Sequence, residues 1–176
     1  MTKTGHGQAR LPVDCGEIDI RIAADGTWYH QGSPIGRKEL VRLFAGVLRR
    51  EADGTYWLVT PAEKARIRVD DAPFMGVELA REGHGPAQAL RLRTNVDDWV
   101  VIGPDHPLRI VSDPETQGPR PYVAVRPGLD ALIARPVYYE LAALAVEGIV
   151  AGRAAMGIWS MGAFFALDVP SENLAQ

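Results

Sequence analysis

The sequence predicts an α+β protein in which a strand–strand–helix–strand unit occurs twice, built mostly on antiparallel sheets. Three observations carry this. Segments of period-two alternation sit in both halves, at 17–22 and 89–93. Amphipathic stretches of helical spacing follow at 37–50 and from Pro136 to Gly148. The third is an internal echo. Ile20 and Ile22, Asp25-Gly26, Trp28, Gly32 and Pro34-Ile35 line up with Leu90 and Leu92, Asp97-Asp98, Trp99, Gly103 and Pro107-Leu108. In each copy a Gly then precedes an aromatic by two, Gly54 before Tyr56 and Gly157 before Trp159. Two short strands and one helix bury little by themselves, so duplication is a physically sensible solution. Chance similarity of short strand–turn–strand patterns is the alternative.

In order, residues 1–16 read as a flexible polar arm. The first repeat is assigned to 17–82, the second to 83–170 with a Pro-rich insertion, and 171–176 to a tail. Within the first, Asp25-Gly26 turns the chain into a strand at 27–30. The helix 37–50 carries Leu40, Val41, Leu43, Phe44, Val47 and Leu48 as its apolar stripe, and Arg49-Arg50 suit its C-terminal dipole. Strands follow at 56–59, 65–70 and 75–81, with Thr60 to Lys64 as a polar turn. In the second repeat, 75–93 makes a long hairpin joining the halves, and 99–102, 109–111 and 122–125 are strands. Leu129 to Ala134 reads as a short helical turn before the helix that Pro136 opens. Strands at 157–162 and 163–168 close the fold.

Composition narrows the function classes. A net charge of −3 argues against non-specific nucleic-acid binding, which needs basic surface to displace counterions. Cys15 is the single cysteine, which removes an internal disulfide and a cysteine-based zinc site and suits a reducing compartment. The first residues lack the apolar core of a signal peptide, and the most apolar stretch, 141–151, is too short for a bilayer span. The expected location is cytoplasmic, with no membrane contact.

Catalytic patterns fail on inspection. The four histidines, His6, His30, His84 and His106, are dispersed, with no pair at helical metal-site spacing. Ser160 has Ile158, not Gly, two residues before it, so the nucleophile-elbow pattern is broken. Asp70-Asp71 and Asp97-Asp98 are adjacent strand-end residues, which point to opposite faces and make poor acid–base dyads. No glycine-rich phosphate loop occurs, and the reading names no cofactor, no metal site and no catalytic residue. Two clusters stand out instead. Glu63, Lys64 and Arg66 gather an acid and two cations beside an aromatic strand. Arg135, Tyr138 and Tyr139 put a cation and two phenols on the first turns of a helix, a composition suited to a site with apolar walls and a polar rim.

The stretch Tyr56 to Lys64, continued from Ile67 to Phe74, resembles the signature of a bacterial family of uncharacterised proteins, domain of unknown function 1285. Thr94-Asn95-Val96-Asp97, His106-Pro107-Leu108-Arg109 and Pro136 to Leu141 are similar to further motifs of that family, so the likeness spans about 15–168. The resemblance implies a domain duplication, a C-terminal half superficially like pleckstrin-homology domains, and a binding role, in signal transduction, with a site between the halves.

The leading expectation is therefore a non-enzymatic binding module for a small molecule or protein segment. Glu63, Lys64 and Arg66 supply polar contacts, and Arg135, Tyr138 and Tyr139 supply the opposing wall. One alternative is an enzyme on a small anionic substrate with Glu63 as base and Lys64 or Arg66 holding the anion. That requires a partly desolvated Glu63. Another is a structural domain that makes homo-oligomers through exposed strand edges.

Overall fold

A computed structural model describes residues 11–168, and the remainder of the expected N-terminal arm and the 171–176 tail lie outside them. Contacts divide the described residues into two compact units, one of 11–23 with 27–70, the other of 24–26 with 71–168.

The first unit is a six-stranded sheet with one helix. Its elements are β1 (Val13–Ile22), β2 (Trp28–His30), β3 (Ser33–Pro34), α1 (Lys38–Val47), β4 (Leu48–Arg50), β5 (Tyr56–Val59) and β6 (Glu63–Val69). The strand order is β3-β2-β1-β6-β5-β4, with β1 and β6 parallel. Alternation buries Ile20 and Ile22 of β1 against Trp28, whose ring stacks on Phe44 of α1 at 6.2 Å.

Three details differ from expectation here. Residues 13–16, expected in the arm, belong to β1, where Val13 and Asp14 pair with Glu63 and Lys64. Their side chains are exposed, so only the backbone ladder holds them and no alternation signals it. Glu63 and Lys64 in turn lie in β6 and not in the preceding turn. The helix also ends early: Leu48 turns to extended backbone and pairs with Leu58. Arg49 still serves the helix end, donating to the carbonyls of Gly46 (3.2 Å) and Leu48 (2.7 Å).

The second unit holds β7 (Phe74–Glu82), β8 (Ala89–Thr94), β9 (Trp99–Ile102), β10 (Leu108–Ser112), β11 (Pro119–Arg126) and β12 (Leu129–Ile133). They form a second six-stranded sheet in the order β10-β11-β12-β7-β8-β9, with β12 and β7 parallel. After it come α2 (Arg135–Ala143) and a three-stranded sheet of β13 (Val146–Val150), β14 (Arg153–Ser160) and β15 (Ala163–Ala166). The expected helical turn at 129–134 is the strand β12: Leu129, Ala131 and Ile133 are buried while Asp130 and Leu132 are less so. Five residues of alternation beside a proline-opened helix are too few for period alone to separate strand from helical turn. The second helix stops at Ala143 and not Gly148, because 146–150 pairs with β14 through a two-residue turn at Ala151-Gly152, both at positive φ.

The duplication lies in the sheets. Counted from its first strand, each six-stranded sheet has the order third, second, first, sixth, fifth, fourth, with the first and sixth parallel. By that count β1 matches β7 and β2 matches β8. The echo read from the sequence set Ile20–Trp28 against Leu90–Trp99, one strand out of this frame. The helices do not repeat: α1 joins the third strand to the fourth, whereas α2 follows the sixth. Gly157 and Trp159 lie in the additional sheet, which has no counterpart in the first unit. The strand β7, assigned from sequence to the first repeat, is a central strand of the second sheet.

Candidate ligand site in the second unit

The residues singled out from sequence fall into two environments. On β6, alternation sends Glu63 to one face and Lys64, Arg66 and Arg68 to the other, so the acid does not share a face with the cations. Glu63 is exposed, and its carbonyl accepts from the Thr60 amide (2.8 Å) and hydroxyl (3.0 Å). Lys64 binds Glu51 at 2.9 Å and lies 4.3 Å from the centre of the Trp57 ring. Its hydrogen bond to the Glu51 carboxylate holds the ammonium above the ordinary lysine range. Arg68 reaches Asp19 at 2.9 Å. This is a solvated face of paired charges, each pair worth about 0–1 kcal/mol. It offers no desolvated carboxylate at Glu63.

Arg135, Tyr138 and Tyr139 instead meet at a cavity of about 510 Å³. The Pro136-containing first turn of α2 forms one wall; Tyr138 donates its amide to Ala134 (2.9 Å), closing the turn. Val137 and Leu141, buried on the other helix face, fix the rotation that presents 135, 138 and 139 to the cavity. Met75 of β7 and Leu132 and Ile133 of β12 give apolar surface. The turn 113–118 and the start of β11 complete it with Asp113, Thr116 and Arg120.

The polar side is preorganised. Asp71 accepts from Arg120 Nη2 (2.6 Å) and from the Tyr122 hydroxyl (2.8 Å). Arg120 also lies 3.6 Å from Asp113, whose carboxylate accepts the amides of Glu115 and Thr116, each at 2.9 Å. Those amides, Thr116 foremost, hold Asp113 below the usual carboxylate range. Burial, then the hydrogen bond to Asp71 and its negative charge, pushes the Tyr122 phenol up to about 12. Tyr138 donates to the Leu167 carbonyl at 3.3 Å, and burial raises its phenol too. Arg120 is thus engaged by two carboxylates. Arg135 is exposed and has no hydrogen-bond or ion-pair partner among the described residues.

Sequence reasoning missed the Asp71–Arg120–Tyr122 network. In the sequence Asp71 is one of two adjacent strand-end acids, and its partners lie 49 and 51 residues away. The available signal is Tyr122 two residues from Arg120 on one alternating strand; β10 sets Arg109 beside it, 4.6 Å from the Tyr122 ring centre. Other singled-out residues are structural. The Ser160 hydroxyl, fully buried, donates to the Ile102 carbonyl (2.6 Å) and accepts the Leu90 amide (3.0 Å). Asn95 holds Met75 and Gly26, and His106 Nδ1 lies 2.8 Å from the Ala124 carbonyl. Among the described residues no cluster of three potential metal ligands occurs, and no helix is long and apolar enough to cross a membrane.

Two mixed sheets of one strand order, each with its own helix placement, define a two-unit α+β protein. The chain belongs to the DUF1285 family: 9–72 match its N-terminal domain, a domain of unknown function, and 73–167 its C-terminal domain. A solved DUF1285 family protein from Silicibacter pomeroyi DSS-3 is 45% identical, with a TM-score of 0.83, over 96% of this chain and 91% of that one. A second, from Shewanella baltica OS155, is 25% identical with a TM-score of 0.55, over 70% of this chain and 89% of that one. No curated protein matches the chain.

Proposed function

We propose that the protein is a binding module whose second unit takes a small molecule bearing a carboxylate or phosphate. The observation that carries this is the company Arg135 keeps. It is a guanidinium without a partner among the described residues, at the rim of a cavity of about 510 Å³, flanked by Tyr138 and Tyr139 over the apolar Met75, Leu132 and Ile133. The volume falls in the range of small-molecule sites, roughly 300–1,000 Å³. A planar fork of donors recognises a carboxylate or phosphate in bidentate fashion, and the phenols add amphipathic walls. Arg120 supports the site from behind without competing for the ligand, because Asp71 and Asp113 already hold it. Glu63, Lys64 and Arg66 do not line this cavity and are not part of the proposal.

Thermal-shift screening of dicarboxylates and phosphomonoesters tests the reading, since a ligand bound only by the folded state raises the melting point. A hit should lose about tenfold in affinity, roughly 1.4 kcal/mol, in Arg135→Gln, with the unliganded melting point unchanged. Equal binding by Arg135→Gln and Tyr139→Ala would remove the site.

A second reading rests on β13, an edge strand on which Ile149 is 77% exposed beside exposed Val146 and Val150. Such an edge suits pairing with a second copy of the chain. Sedimentation at micromolar concentration decides it: a monomer throughout ends that reading.

A further inference from the structure

The first unit holds a separate cavity, of about 410 Å³, between α1 and the β1–β2–β3 end of its sheet. Its surface is dominated by apolar side chains: Ile20, Ile35, Leu40 and Phe44. Ile20 is buried and Phe44 stacks on the buried Trp28, so the floor is fixed, not a loose surface dent. The polar groups stand at its margin. Arg37, the residue that precedes α1, is exposed and its guanidinium has no hydrogen-bond or ion-pair partner among the described residues, and His30 of β2 is exposed beside it in the lining. No carboxylate lines the cavity.

An apolar body with one unpaired cation at its edge is complementary to one kind of occupant. We infer that this cavity binds a single-chain aliphatic carboxylate, its hydrocarbon against Ile20, Ile35, Leu40 and Phe44 and its carboxylate on Arg37. Burial of the methylenes drives binding, and the guanidinium–carboxylate contact sets the orientation. The cavity volume is that of a small-molecule site and too small for a folded partner. The inference concerns the other unit and does not rest on the Arg135 site.

Calorimetric titration of the full chain with octanoate, octan-1-ol and octylammonium tests it. The expected order of affinity is octanoate, then octanol, then octylammonium. Arg37→Gln should weaken octanoate about tenfold and leave octanol unchanged, and Arg37→Lys should restore part of the loss. Because octanoate could also visit the second unit, the series is repeated in an Arg135→Gln background, where the Arg37 effect should persist. Ile35→Glu, checked for folding by circular dichroism, should abolish binding of both octanoate and octanol. Should it fail to fold, surface-exposed Arg37→Gln still decides. The inference is overturned if none of the three probes binds, if octanoate and octanol bind equally, or if Arg37→Gln changes nothing. It is overturned equally if Ile35→Glu breaks a self-associated form that octanoate does not affect, which would make a second copy the occupant.

Discussion

The two units share a sheet plan and differ in how they bury it. In the first unit the buried apolar side chains are Ile20, Ile22, Trp28, Ala45, Leu48, Leu58 and Ile67; all others among the described residues belong to the second. The helices explain much of this. α1 is inserted between the third and fourth strands and buries only Ala45, leaving Leu43 63% exposed. α2 follows the sixth strand and buries Val137 and Leu141, and the additional sheet is tied to β8 and β9 by the fully buried Ser160 and by Gln88, which donates to the Trp159 carbonyl at 2.7 Å. One strand order can thus support a thin core or a thick one. Helix insertion, not sheet topology, decides which. Both candidate cavities lie beside the helices, where the two units depart from each other.

The largest test of this contrast is Leu141→Ala, which should cost about 2–5 kcal/mol in chemical denaturation because it empties a fully buried site under α2. A cost below about 1 kcal/mol would mean that α2 is not the element that thickens the second core. Ser160→Ala should cost about 1–3 kcal/mol, since the Leu90 amide and Ile102 carbonyl lose a buried partner. The Tyr122 phenol gives a pH signature confined to the second unit. Below pH 10 it keeps its proton in both states; between 10 and about 12 the unfolded chain releases it while the folded protein does not. Stability therefore falls as pH rises through that window, by roughly 1.4 kcal/mol per pH unit at most and less after solvent screening. Comparing urea unfolding of the natural protein and Tyr122→Phe at pH 9 and 11 should show a shallower decline in the variant. The smallest effect belongs to the first unit: Leu43→Gln on α1 should stay within about 0.5 kcal/mol. A larger loss would show that α1 is more tightly packed than its exposure indicates.

Local periodicity made most strands legible, as with Ile20 and Ile22 or Leu90 and Leu92, because a half-buried strand writes its two faces into successive residues. It fails where burial is short or the backbone alone is paired: β12 has the pattern of a helical turn, and residues 13–16 that of an arm. At the site, Arg135, Tyr138 and Tyr139 were visible together because helical spacing gathers near neighbours on one face. Asp71, Arg120 and Tyr122 were not, since their contact depends on strand order.

The sequence alone determined the α+β class, the family and the amphipathic helix bearing Arg135, all properties of local pattern. Tertiary structure decided three things. It put the repeat in the six-stranded sheets and not in the helices, separated Glu63 from the cations beside it, and engaged Arg120 while leaving Arg135 without a partner among the described residues. The physical reason is the same in each case. Strand pairing joins residues far apart in the chain, and which charges find partners follows from that pairing, not from their spacing in sequence.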